Sequence, residues 1–138
     1  MKTSQVELTN LEIIRSLQAL QRVDSASCEF DMTYTLSLNL KTLRRASEDY
    51  EEFRQGILHD HCVLDDKHRP MATEDGLDVV FRSDEDEQTA VEKFDKLNDT
   101  AVSLHLYRYP MSAFKKVKIP HVLLEHLLWM VQTEDNAT

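Results

Sequence analysis

The stretch from about residue 29 to 59 constrains this chain more than any other. Tyr34, Leu36, Leu40, Leu43, Ala46, Tyr50, Phe53 and Ile57 form an apolar stripe whose spacings settle into threes and fours, the period of an α-helix. Lys41, Arg44, Arg45, Glu48, Asp49, Glu51 and Glu52 fill the intervals as a solvated face. The pattern predicts one helix of about 30 residues, roughly 45 Å long. A helix of that length in a chain of 138 residues needs partners along most of it. Two glycines and three prolines leave little room for tight turns, which again favours long regular elements.

Shorter elements flank it. Thr9 and Glu12 have the spacing of a capping box, in which hydroxyl and carboxylate each satisfy a free amide, and Leu11, Ile14, Leu17 and Leu20 follow at helical intervals. A helix over about 10–22 is expected. Residues 60–82 lose the period, and "DDKHRP" and "EDG" are turn chemistry, so a small hairpin or ordered loop is expected there. Ser83 should cap a further helix with acids in its first turn and a buried face of Ala90, Val91, Phe94 and Leu97. "TAVSLHLYRYP" alternates Val102, Leu104 and Leu106 with polar residues, the signature of a half-buried strand. "FKKVKI" reads as a second, shorter strand with Val117 and Ile119 inward. Pro120 then suits the first position of a closing helix, "PHVLLEHLLWMVQ", apolar over most of its circumference.

The fold expected is α+β: a long helical hairpin packed with a small antiparallel β-sheet and a C-terminal apolar helix. One domain should span residues 1–138, with 1–8 and 133–138 frayed. No apolar run approaches the ~18 residues of a membrane span, and "MKTSQVELTN" lacks the apolar core of a secretory signal. Two cysteines, Cys28 and Cys62, are too few for a disulfide framework and read as reduced thiols of a cytoplasmic protein.

"HDHCVLDDKH" at residues 59–68 holds metal-ligand side chains: His59, His61, Cys62 and His68. The spacing argues against a metal centre. On a helix His59 and His61 lie about 200° apart, and in a strand Cys62 would turn away from both. The stretch reads better as a polar helix end, where histidine suits the helix dipole. His121 and His126 do not converge on a helix either. No G-x-S-x-G elbow occurs, two glycines cannot build a phosphate-cradling loop, and neither cysteine has a basic neighbour motif. No cofactor and no catalytic residue is therefore expected.

The net charge is −9, and residues 63–99 alone carry −7. Such a chain is repelled by nucleic-acid phosphates, so a protein partner is expected rather than direct nucleic-acid binding. Two candidate contact surfaces emerge. One is the acidic run Asp84, Glu85, Asp86 and Glu87, able to imitate phosphates. The other is the apolar closing helix with Leu124, Leu128 and Trp129, tryptophan being a common interface anchor. The long helix and the last helix also suggest a homo-oligomer, a homodimer in the simplest case.

The order of these segments resembles a known family. A capped "LTNLEII" leads to "LKTLRRASEDYEEFRQGIL" with Tyr50, Glu51, Glu52, Phe53 and Arg54, then to "DEDEQTAVEKFDKL", an alternating strand and "IPHVLLEHLL". Over residues 7–131 this pattern is similar to a family of small uncharacterised proteins of tailed bacteriophages and prophages. The resemblance implies a phage context, in the host cytoplasm or carried into the virion, and transfers no functional residue. The function expected is a non-enzymatic virion structural or assembly factor acting through protein contacts with a phage or host partner. The alternative is an acidic inhibitor of a host or defence protein.

Overall fold

Thr9 ends a strand and starts a helix. Its hydroxyl accepts the Glu12 amide at 3.1 Å and donates to the Glu12 carboxylate at 3.1 Å, so the capping pair forms. The carboxylate takes the hydroxyl proton rather than the Thr9 amide, because Thr9 also belongs to β1 (Thr3–Thr9). Helix α1 (Asn10–Leu20) follows at once. The computed structural model describes residues 2–132, so the expected fraying of residues 133–138 lies outside the described residues.

Residues 3–8, expected to fray, are a correction. Val6 and Leu8 alternate with Gln5 and Glu7, and β1 pairs antiparallel with β2 (Ala101–Tyr107), Val6 opposite Leu104 and Leu8 opposite Val102. One buried face across the pair fixes that register. The strand expected at "FKKVKI" does not form. Lys118 makes a single bridge to Asp24, and a 3-10 turn occupies Met111–Phe114, while Val117 and Ile119 still pack inward. The edge of β2 is already taken by β1, and the opposite side of Tyr107 is taken by Asn39.

The long helix, α2, runs from Phe30 to His61, two residues beyond the expected end. Ser83 caps α3 (Asp84–Asp99) as expected, its Oγ accepting the Asp86 amide at 3.0 Å. The closing helix forms, with 3-10 geometry. His121–Met130 is a 3-10 segment after Pro120, with Leu127 and Met130 buried and Val122, Leu124 and Leu128 exposed. The His126 carbonyl, which an α-helix would give to its own fourth-next amide, instead accepts from Ser16 Oγ and Trp129 Nε1. A two-residue parallel pair, β3 (Tyr109–Pro110) with β4 (Val131–Gln132), completes the elements.

The chain divides into two compact units, and the division falls inside α2. The first comprises Met1–Ser47 and Ala101–Thr138 and contains the main core, with Leu8, Ile13, Leu43, Leu106, Leu127 and Met130 buried. Two polar residues are locked into it. Asn39 is 1% exposed and bonds the Tyr107 backbone twice, its Nδ2 donating to the carbonyl at 2.9 Å and its Oδ1 accepting the amide at 2.7 Å. Ser16 accepts the Trp129 indole N–H at 2.9 Å and donates to the His126 carbonyl at 3.0 Å, tying α1 to the 3-10 segment.

The second unit, Glu48–Thr100, is an antiparallel pair made by the later half of α2 and α3, joined by residues 62–83. The connection is ordered. Val63 donates to Val80, and Val80 to Met71, around two turns at residues 65–69 and 73–78. His68 and Gly76 supply the left-handed backbone positions, with φ of 60° and 73°. The unit's buried side chains are Leu58, Cys62 and Ala90, the last two fully so. Phe53 and Val91, both expected to be buried, are 69% and 48% exposed. The lines 50, 54, 57, 61 on α2 and 90, 94, 97 on α3 are the packed ones, and Phe53 and Val91 lie off them by about 70° and about 90°.

Candidate protein-binding groove

Three contacts hold the later half of α2 against α3. The Tyr50 hydroxyl donates to the Asn98 side-chain oxygen at 2.6 Å, and the Arg54 guanidinium lies over the Phe94 ring, 5.8 Å from its centroid. His61 makes the third. Its Nδ1 donates to the Asp86 carboxylate at 2.8 Å, and the Lys93 ammonium donates to its Nε2 at 2.9 Å. A carboxylate cannot donate, so the ring proton sits on Nδ1 and the Nε2 lone pair faces Lys93. The His61 hydrogen bond, followed by that from Ser83, holds the Asp86 carboxyl below its ordinary range.

The end of α2 explains "HDHC". Arg82 donates its amide to the His61 carbonyl at 3.0 Å, its Nε to the Cys62 carbonyl at 3.0 Å, and Nη2 to the His59 carbonyl at 3.4 Å. One arginine covers three carbonyls at the negative end of a 32-residue helix. His59 is exposed, and His68 stands in the 65–69 turn. Cys62 is buried, and that burial pushes its thiol above the ordinary range. Among the described residues, no group of three or more His, Cys, Asp or Glu side chains gathers in a way that could hold a metal ion.

Between the two helices lies an open groove of about 890 Å³. Phe53, Ile57 and Leu97 supply its apolar floor, with Gly56 between the first two. Asp49, Glu52 and Asp60 stand along the α2 wall, and Lys93 and Lys96 along the α3 wall. Residues 49, 52, 53, 56, 57 and 60 share one broad helix face, because the spacings of three and four that link 49, 53, 56, 60 and 52, 56, 60 return to the same side every turn. No ion pair within 4.0 Å engages Asp49, Glu52 or Asp60 among the described residues.

Charge is segregated between the units. Glu48–Thr100 carries 17 carboxylates against 6 lysines and arginines, a net −11, leaving +2 for the rest of the chain. Asp84, Glu85 and Glu87 project from the first turn of α3 and are exposed, whereas Asp86 is engaged by His61 and Ser83. The second candidate surface lies in the other unit. Leu124 and Leu128 are 40% and 57% exposed, while Trp129 is half-buried against the core with its indole N–H bonded to Ser16 and His126. His121 is exposed and His126 is half-buried.

The groove was not foreseeable from the α2 pattern alone. Phe53 and Ile57 read as core, and only the position of α3 shows which apolar residues go uncovered. No protein-family model matches the chain, and no curated protein or solved structure is significantly similar to it. No described helix is long and apolar enough to cross a membrane.

Proposed function

We propose that the protein is a non-catalytic binding protein that works through protein–protein contact, with Glu48–Thr100 as its contact unit. One observation carries the reading: the same 53-residue unit holds a net −11 and an open groove floored by Phe53, Ile57 and Leu97. Apolar floor with charged rim is the composition of a protein interface, whose centre excludes water and whose edge selects the partner. The chemistry of the reactive side chains supports the same reading. Burial pushes both the Cys28 and Cys62 thiols up, away from the thiolate form a nucleophile needs. The Asp86–His61 pair has the form of an oriented base, but Lys93 occupies the nitrogen that would take a proton.

The resemblance to tailed-phage proteins makes a virion structural or assembly protein the first candidate partner, met in the host cytoplasm or in the virion. The concentration of charge in one unit favours a second reading, an acidic inhibitor that covers a basic site on a host or defence protein. Self-association is a separate proposal. Two units at −11 repel, so a homodimer would form through other residues.

Salt separates the readings. The tagged chain is used to capture its partner from phage-producing cells, and the complex is washed from about 0.01 M to about 0.15 M salt, over which the screening length falls from ~30 to ~8 Å. An assembly contact seated on the groove floor should survive; an acidic mimic should be lost. Reversing Asp84, Glu85 and Glu87 to lysine, with Asp86 left in its pair, should abolish the mimic and weaken the assembly contact only slightly. Capture unaffected by these reversals and by substitutions throughout Glu48–Thr100 would reject both.

A further inference from the structure

Gly56 lies inside a 32-residue helix, about one and a half turns from its end, where glycine is less stable than alanine. The fold gives no reason for it. A Cβ built at Gly56 would meet nothing within 4 Å, and the residue has no positive φ. What a side chain there would obstruct is the groove, because Gly56 lies between Phe53 and Ile57 on its floor. We propose that this groove receives one α-helix of a partner protein, bearing an apolar stripe flanked by lysines and arginines, with its closest backbone approach over Gly56. The proposal rests on the reading of Glu48–Thr100 as a protein-contact unit.

Length and charge define the occupant. Asp49 to Asp60 spans three turns of α2, about 16 Å, enough to face three turns of a second helix. The bare Gly56 backbone lets that helix approach more closely than any side chain would, and the exposed Phe53 ring is the anchor over which it closes. The walls are unequal. Asp49, Glu52 and Asp60 are in no ion pair among the described residues, whereas Lys93 is already bonded to His61. Lys96 is left to oppose three carboxylates in a unit of net −11. The occupant is therefore cationic, with its basic flank towards α2. A nucleic acid is repelled, and so is a second copy of this unit.

A fluorescently labelled peptide of leucine and lysine at helical spacing is the probe, titrated against the full chain and read by anisotropy. A scrambled peptide of the same composition and a leucine–glutamate counterpart are the controls. The wild type should bind the patterned Leu/Lys peptide about tenfold or more tightly than the scrambled one. Gly56→Leu should remove that preference while far-ultraviolet dichroism is unchanged and the melting temperature is no lower. Phe53→Ser, which alters an exposed side chain, should also weaken binding and serves if Gly56→Leu misfolds. Equal binding of the patterned and scrambled peptides would overturn the proposal, as would preference for the glutamate peptide or indifference to both substitutions. A dimer in sedimentation that Gly56→Leu dissolves would place a second copy in the groove and overturn it too. If peptide binding ignores the groove substitutions but capture of the native partner still responds to reversal of Asp84, Glu85 and Glu87, the groove proposal falls and the contact-unit reading stands.

Discussion

Asn39 is the residue on which the larger unit is most exposed to a single change. Its side chain satisfies both polar groups of the Tyr107 backbone inside the protein. Asn39→Ala would leave an amide and a carbonyl without partners, and it should cost about 2–4 kcal/mol in urea unfolding. Asn39→Asp would set a buried carboxylate oxygen against the Tyr107 carbonyl, so it should cost at least as much as alanine at neutral pH. Tyr109 tests the same core by pH. Its ring is 1% exposed, and its hydroxyl lies 2.6 Å from Thr35 Oγ1, which also bonds the Asp31 carbonyl. Thr35 donates to that carbonyl, so the phenol donates to Thr35. Burial pushes the Tyr109 pKa up to about 12 from 10.0, against the lowering by Thr35. The folded state thus holds the proton more tightly than the unfolded one. The stabilisation is complete below pH 10 and lost as pH rises towards about 12. Unfolding midpoints across that window should drop for the wild type and drop less for Tyr109→Phe.

At the scale of elements, caps were legible and tertiary cover was not. Thr9 and Ser83 announce their helices because a hydroxyl three residues before a carboxylate is a local device that needs no distant partner. β1 was illegible because Val6 and Leu8 alternate over too few residues to mark a strand, until β2 supplies the matching face. The closing helix was legible but its 3-10 type was not, because apolar residues three and four apart fit either helix, and the His126 carbonyl is bonded from α1. The groove depended on where α3 lies, so Phe53 could not be told from a core residue. Two predictions belong here. Gly56→Ala should raise stability by about 1 kcal/mol in chemical denaturation, since nothing in the fold needs the glycine. Asp86 predicts the opposite of the tyrosine behaviour with pH. Its folded carboxyl is held below the unfolded value of about 3.9, so its stabilisation is complete above about pH 4 and lost as pH falls further. Acid unfolding of Asp86→Asn should be the shallower curve.

For the whole molecule, the division of labour follows from composition. One unit at +2 holds the larger core, and the other, at −11, buries Leu58, Cys62 and Ala90 and leaves Phe53, Met71, Leu77 and Val91 exposed. Charge alone would make the second unit soluble and nothing more. The uncovered apolar groove within it is what the proposed function uses. "HDHC", which carries the residue types of a metal site, serves this unit structurally. His61 fixes Asp86 and engages Lys93 on the groove wall, and Arg82 closes the helix end. The direct test is amide hydrogen exchange on the chain, free and bound to the protein partner proposed for it. The account predicts protection concentrated in residues 48–61 and 84–100. Protection confined to residues 121–130, with the α2–α3 unit unchanged, would contradict it.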